Sequence, residues 1–165
     1  MILQIEDWTF DVDVGKTMEY SAAEAAEHCD CGYCRNYYRA VDSVFPGLRP
    51  FLARFGVDVE APDTLYPYDL QKDRMWYEGE YAVFGRILRA GENAVYNGET
   101  GQMQIIPIPV DSGEPSSFVL SIEGAELPWL LDEHMQDVVS PANEPDFQQQ
   151  MWDNLLNKAQ TDIIT

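Results

Sequence analysis

The chain has 165 residues, enough for one domain whose core needs no disulfide or metal staple. It carries 29 acidic against 10 basic side chains, a formal net charge of -19, which disfavours the phosphate backbones of nucleic acids and anionic membrane surfaces as partners. No apolar run approaches a membrane span, and the opening Met1-Ile2-Leu3-Gln4-Ile5-Glu6-Asp7 lacks the regions of a signal peptide, so the expected location is the cytoplasm.

The first predicted element is a strand over Trp8–Val14, where apolar and polar residues alternate. Gly15-Lys16 is expected to break it. Ser21-Ala22-Ala23-Glu24 has capping-box spacing and predicts a turn or two of helix to about Glu27. The main helix is expected to start at Asp30 or Cys31. Cys34, Tyr37, Tyr38, Val41, Val44 and Phe45 then share one face, and Arg35, Asn36, Arg39, Asp42 and Ser43 lie mainly on the other. Pro46-Gly47 ends it. A short second helix follows, turning Leu48, Phe51, Leu52 and Phe55 inward, with Pro50 in its first turn and Gly56 as its cap. Val57 to Pro67 reads as a connector.

The middle of the chain is expected to be sheet. Tyr77–Leu88, apolar on both faces, predicts a central strand. Asn97-Gly98 is a turn signal after Ala94-Val95-Tyr96. A strand over Met103–Ile108 is pushed towards an edge by Pro107 and Pro109. Asp111-Ser112-Gly113 turns the chain into a strand over Ser117–Ile122. Glu126–Leu131 reads as an apolar plug for the core, or as a docking corner. Phe147, Met151, Leu155 and Ala159 share a helical face over Asp146–Ala159. The fold class is therefore α+β: a single acidic domain, 1–165, with a mostly antiparallel sheet, an N-terminal helical unit and a C-terminal helix. Residues 140–165 are a candidate peripheral tail helix.

Chemistry concentrates between Glu27 and Phe45, which hold all three cysteines and His28. An odd cysteine count rules out full internal pairing. Three readings compete. Cys29, Cys31 and Cys34 offer three thiolates to a metal, zinc above all, with His28 the adjacent candidate for a fourth position. Asp30 and the distant His134 are further candidates. Alternatively, Cys31-Gly32-Tyr33-Cys34 resembles the active-site motif of some disulfide isomerases of the thioredoxin fold. That resemblance covers four residues and implies Cys31 as nucleophile and Cys34 as resolving cysteine. His28 would then lower a neighbouring thiol pKa or serve as a base. Third, the cysteines are small apolar residues of the core.

Arg35 and Asn36 are candidates for holding an anion beside the helix start. Asp58, Glu60, Asp63 and Asp69 lack calcium-loop spacing. The chain has no phosphate-binding glycine loop, dinucleotide fingerprint, paired-histidine metalloprotease motif or nucleophile elbow. With no catalytic constellation, the first functional expectation is a non-enzymatic protein-binding or structural module, acting with a protein partner or as a homodimer. The alternative is a zinc-binding or thiol-redox protein centred on Cys29, Cys31 and Cys34.

Overall fold

In the computed structural model, residues 1–71, 73–110 and 115–132 are described. The helix expected over Asp146–Ala159, the turn at 111–113 and His134 lie outside them. Strand β1 (Ile2–Ile5) pairs antiparallel with β2 (Trp8–Val12) through a turn in which Glu6 takes φ 54°. The expectation of a strand from Trp8 holds, but its partner β1 was too short to show a period of its own.

Helix α1 (Val14–Ala26) follows at once. This corrects two expectations. The Asp13 carboxylate accepts the Lys16 N–H at 3.0 Å, so Gly15 and Lys16 sit in the first helical turn instead of breaking the chain. Ser21 is buried inside the helix, and its hydroxyl accepts the Asp58 N–H at 2.8 Å instead of capping. Helix α2 (Gly32–Val44) starts where expected, and α3 (Leu48–Ala53) carries Leu48, Phe51 and Leu52 inward. Gly56 closes that unit with φ 88°, and a Cβ there would stand 2.6 Å from the Val14 carbonyl oxygen.

The sheet comprises β3 (Thr64–Gln71), β4 (Arg74–Arg89), β5 (Tyr96–Asn97), β6 (Gln104–Pro109) and β7 (Ser117–Pro128), together with the first hairpin. The order is β1-β2-β4-β7-β6-β5, with β3 also on β4, and every described pairing is antiparallel. The connector expected up to Pro67 is therefore corrected: strand begins at Thr64. β3 pairs only with β4, and an edge strand tolerates a proline. β5 covers only the first two residues of β6, so Pro107 and Pro109 lie near the open edge, as their chemistry requires.

β4 is the central strand, with β3 and β2 following one another along one side and β7 along the other. Between those two partners the bare edge of β4 is met by side chains. The Asp63 carboxylate accepts the Ala82 N–H at 2.6 Å, and the Thr17 hydroxyl accepts the Phe84 N–H at 3.0 Å. Only one face of β4 is core, not both: Met75, Tyr77, Tyr81 and Val83 are buried, while Glu78 and Glu80 alternate with them half-exposed. On that face Phe118, Leu120 and Leu127 of β7 and Phe10 of β2 are buried, as are Tyr37, Val41, Leu52 and Phe55 of the helical unit. The expected plug resolves into the end of β7, with Leu127 fully buried and Leu130 exposed. No described helix is long and apolar enough to cross a membrane.

Candidate metal centre

The chain leaves α1 at Ala26 and enters α2 through Cys31, whose backbone is extended at φ -69° and ψ 162°. It reaches the cysteines from a helix, whereas the thioredoxin arrangement brings a strand into the motif. The Cys31 carbonyl accepts the Arg35 N–H at 2.9 Å, which opens the helix. Cys34 then falls one turn in and is buried, while Cys29 and Cys31 are exposed. An extended approach followed by a helical turn folds the three side chains together. Their sulfur atoms all lie within 4.8 Å of one another.

Side chains from outside the cluster hold this backbone. Tyr38 donates its hydroxyl to the Cys29 carbonyl at 3.2 Å. Tyr77, from the sheet, donates to the carbonyl of Tyr33 at 2.7 Å, inside the Cys31–Cys34 turn. Asn36 donates to the Tyr77 hydroxyl at 3.4 Å and to the Pro128 carbonyl at 3.1 Å, and its own carbonyl accepts the Leu130 N–H at 2.7 Å. Deeper, Tyr81 donates to the Val59 carbonyl at 2.6 Å. With one proton per hydroxyl, Tyr37 must therefore be the donor in the 2.7 Å Tyr37–Tyr81 contact. The helix that starts after Cys31 and carries Cys34 is thus tied to the sheet by hydrogen bonds as well as by apolar packing.

Asn36 corrects the reading that put it on the solvent face, because it is fully buried. Its partners lie 92 and 94 residues away on β7 and just beyond it, so no local pattern announced it. Arg35 does sit outside. Its Nε donates to the Asp30 carbonyl at 3.1 Å and lies 3.8 Å from the Asp30 carboxylate.

Cys31, at the cap of the helix, and Cys34, inside its first turn, are electrostatically unlike. Hydrogen bonds from the Cys34 thiol and N–H, from the Cys29 thiol and from the Tyr33 N–H outweigh partial burial at Cys31. They pull its thiol from an ordinary 9.0 down to about 5. Cys34 is pushed up instead, because its thiol donates to Cys31, because it is buried, and because the Cys31 charge faces it. At neutral pH the pair is a thiolate beside a thiol. Burial, and then the negative charge at the cysteines, also raises the Tyr38 hydroxyl.

His28 lies to one side. Its ring stacks on Tyr38 at 4.5 Å between centroids, and its Nδ1 is 3.3 Å from the Glu60 carbonyl oxygen. Among the described residues, the group of metal-ligand atoms the fold brings together is Cys29, Cys31 and Cys34. Comparison with known protein families, with curated proteins and with solved structures finds no match.

Proposed function

We propose that the protein is a metal-binding module whose ion is held by the thiolates of Cys29, Cys31 and Cys34. The convergence of the three sulfurs to within 4.8 Å carries this reading. Zinc–sulfur bonds of about 2.3 Å in a tetrahedron set sulfurs about 3.8 Å apart. Closing the gap therefore takes about an ångström of side-chain motion or less. Core packing does not account for the cluster, since two of its three members are exposed. Zinc is the first ion to test, with His28 the adjacent candidate for a fourth position and a partner or second copy of the chain the alternative source.

The test is elemental analysis of untagged protein purified under reducing conditions, with thiols titrated before and after a chelator. The expected result is a stoichiometric metal and thiols that react only once it is stripped. Half an ion per chain would indicate a site shared across a homodimer. A metal-free protein with freely titrating thiols overturns the proposal.

A second reading rests on the unlike pair. An exposed Cys31 thiolate is equipped to attack a disulfide sulfur, expelling one thiolate and forming a mixed disulfide. Cys34, once deprotonated, would then displace the second. Under this reading, equilibration with a glutathione redox buffer yields a Cys31–Cys34 disulfide, and Cys31→Ser abolishes it.

A further inference from the structure

Resting on the metal-site reading above, we infer that the site is redox-gated: closing a Cys31–Cys34 disulfide removes two of its three ligands and releases the ion. The three sulfurs lie within 4.8 Å of one another, so a metal ion and a disulfide compete for the same atoms. The backbone sets which pair closes. The Cys31 carbonyl accepts the Arg35 N–H, so residues 31–35 form a full helical turn. Such a turn places Cα atoms three residues apart about 5 Å from each other, well inside the span of about 4.4–6.8 Å that disulfides bridge. An extended step of two residues, the alternative between Cys29 and Cys31, covers about 6.6 Å and lies near the upper limit. The fold accommodates both states. Tyr38 holds the Cys29 carbonyl and Tyr77 holds the Tyr33 carbonyl, so both restraints grip backbone and neither uses a cysteine sulfur.

Burial orders the events. Cys34 is buried while Cys29 and Cys31 are exposed, so a dissolved disulfide such as oxidised glutathione meets an outer sulfur first. The Cys31 thiolate leaves the metal and attacks one glutathione sulfur. The glutathione S–S bond breaks, one glutathione thiolate departs, and Cys31 carries the other as a mixed disulfide. The Cys34 thiolate, freed from the metal, then attacks the Cys31 sulfur and expels the second glutathione thiolate. Two electrons have passed from the protein to glutathione, and no proton need move. A disulfide sulfur is no longer a thiolate ligand, and Cys29 alone cannot fill a zinc ion's coordination.

The experiment loads the reduced full chain with Zn(II), adds oxidised glutathione, and follows free zinc with a chromophoric indicator while thiols are counted and disulfides mapped by mass spectrometry. The expected result is zinc release in step with the loss of two thiols per chain, a Cys31–Cys34 bond, and a Cys29 that still alkylates. Reduction should restore zinc binding. Metal-free Cys29→Ser should close the same disulfide, whereas Cys34→Ser should stop at glutathione bound to Cys31, with circular dichroism confirming that both variants fold. Zinc retained under oxidation, zinc released with the cysteines only glutathionylated, or a disulfide through Cys29 overturns the gate and leaves the metal site standing. A reduced chain that binds no zinc overturns the metal reading and the gate with it, even where the disulfide forms.

Discussion

Cys31 and Asn36 sit five residues apart and show what single side chains contribute here. The Cys31 thiol is held down to about 5 by hydrogen bonds that only the folded chain supplies. In the metal-free protein, alkylation of Cys31 should follow a titration with its midpoint near 5, while Cys34 stays unreactive through neutral pH. The linkage has a definite sign. A group whose folded pKa is depressed stabilises the fold fully above its unfolded value, and that contribution is lost as pH falls towards the folded value. The stability advantage of the metal-free wild type over Cys31→Ser should therefore grow as pH rises from about 5 towards about 9. Denaturant unfolding across that range checks it, and a constant difference would show that Cys31 titrates normally. Asn36 acts through burial. Asn36→Ala leaves the Leu130 N–H and the Pro128 carbonyl without their partner and opens a void. The expected cost is roughly 2–3 kcal/mol, read as a shift in the denaturation midpoint with unchanged m-value.

At the scale of elements, β4 and α2 work together. β4 runs through the middle of the sheet, and its Tyr77 holds the Tyr33 carbonyl in the turn between Cys31 and Cys34 at the start of α2. Tyr77→Phe removes one hydroxyl and keeps the ring, so it should cost about 1 kcal/mol in stability. It should also weaken metal retention without touching a ligand. Retention equal to wild type in a chelator competition would confine Tyr77 to a packing role. Farther along β4, Gly85 has φ 147°, and a Cβ there would stand 2.2 Å from the Asp11 carbonyl oxygen on β2. Neither backbone can give way without breaking their pairing, so Gly85→Ala should cost roughly 2–3 kcal/mol. A thermal midpoint unchanged by this substitution would show that the two strands part easily.

At the scale of the whole molecule, the net charge of -19 is the dominant fact. Arg49 shows how sparingly it is balanced: one guanidinium lies 2.9 Å from Asp42, 3.6 Å from Glu60 and 3.7 Å from Asp58. Screening the remaining repulsion should stabilise the fold. The thermal midpoint is expected to rise by several degrees as ionic strength goes from about 0.01 M to about 0.15 M, because the Debye length falls from about 30 Å to about 8 Å. A midpoint that falls with salt would mean that attractive pairs such as those of Arg49 outweigh the excess charge.

What was legible without coordinates was what short-range chemistry specifies. The periodic apolar face and the Pro46-Gly47 stop placed α2, Leu48 to Gly56 placed α3, and the prolines of β6 put it near an open edge. The Cys-x-Cys-x-x-Cys spacing marked the candidate centre for the same reason, since a single turn of backbone brings those residues together. The rest depended on partners distant in sequence. Asp13 overrode a local capping signal once β2 delivered it to the start of α1, and β3 became strand only because β4 offered it an edge. Asn36 went inside because β7 presents backbone groups at its end that no nearby residue could reveal. Tertiary structure also decided the character of the cysteines. Sequence put three sulfurs within reach of one another, but the hydrogen bonds and burial that make Cys31 a thiolate and Cys34 a thiol arise only when the helix is packed on the sheet.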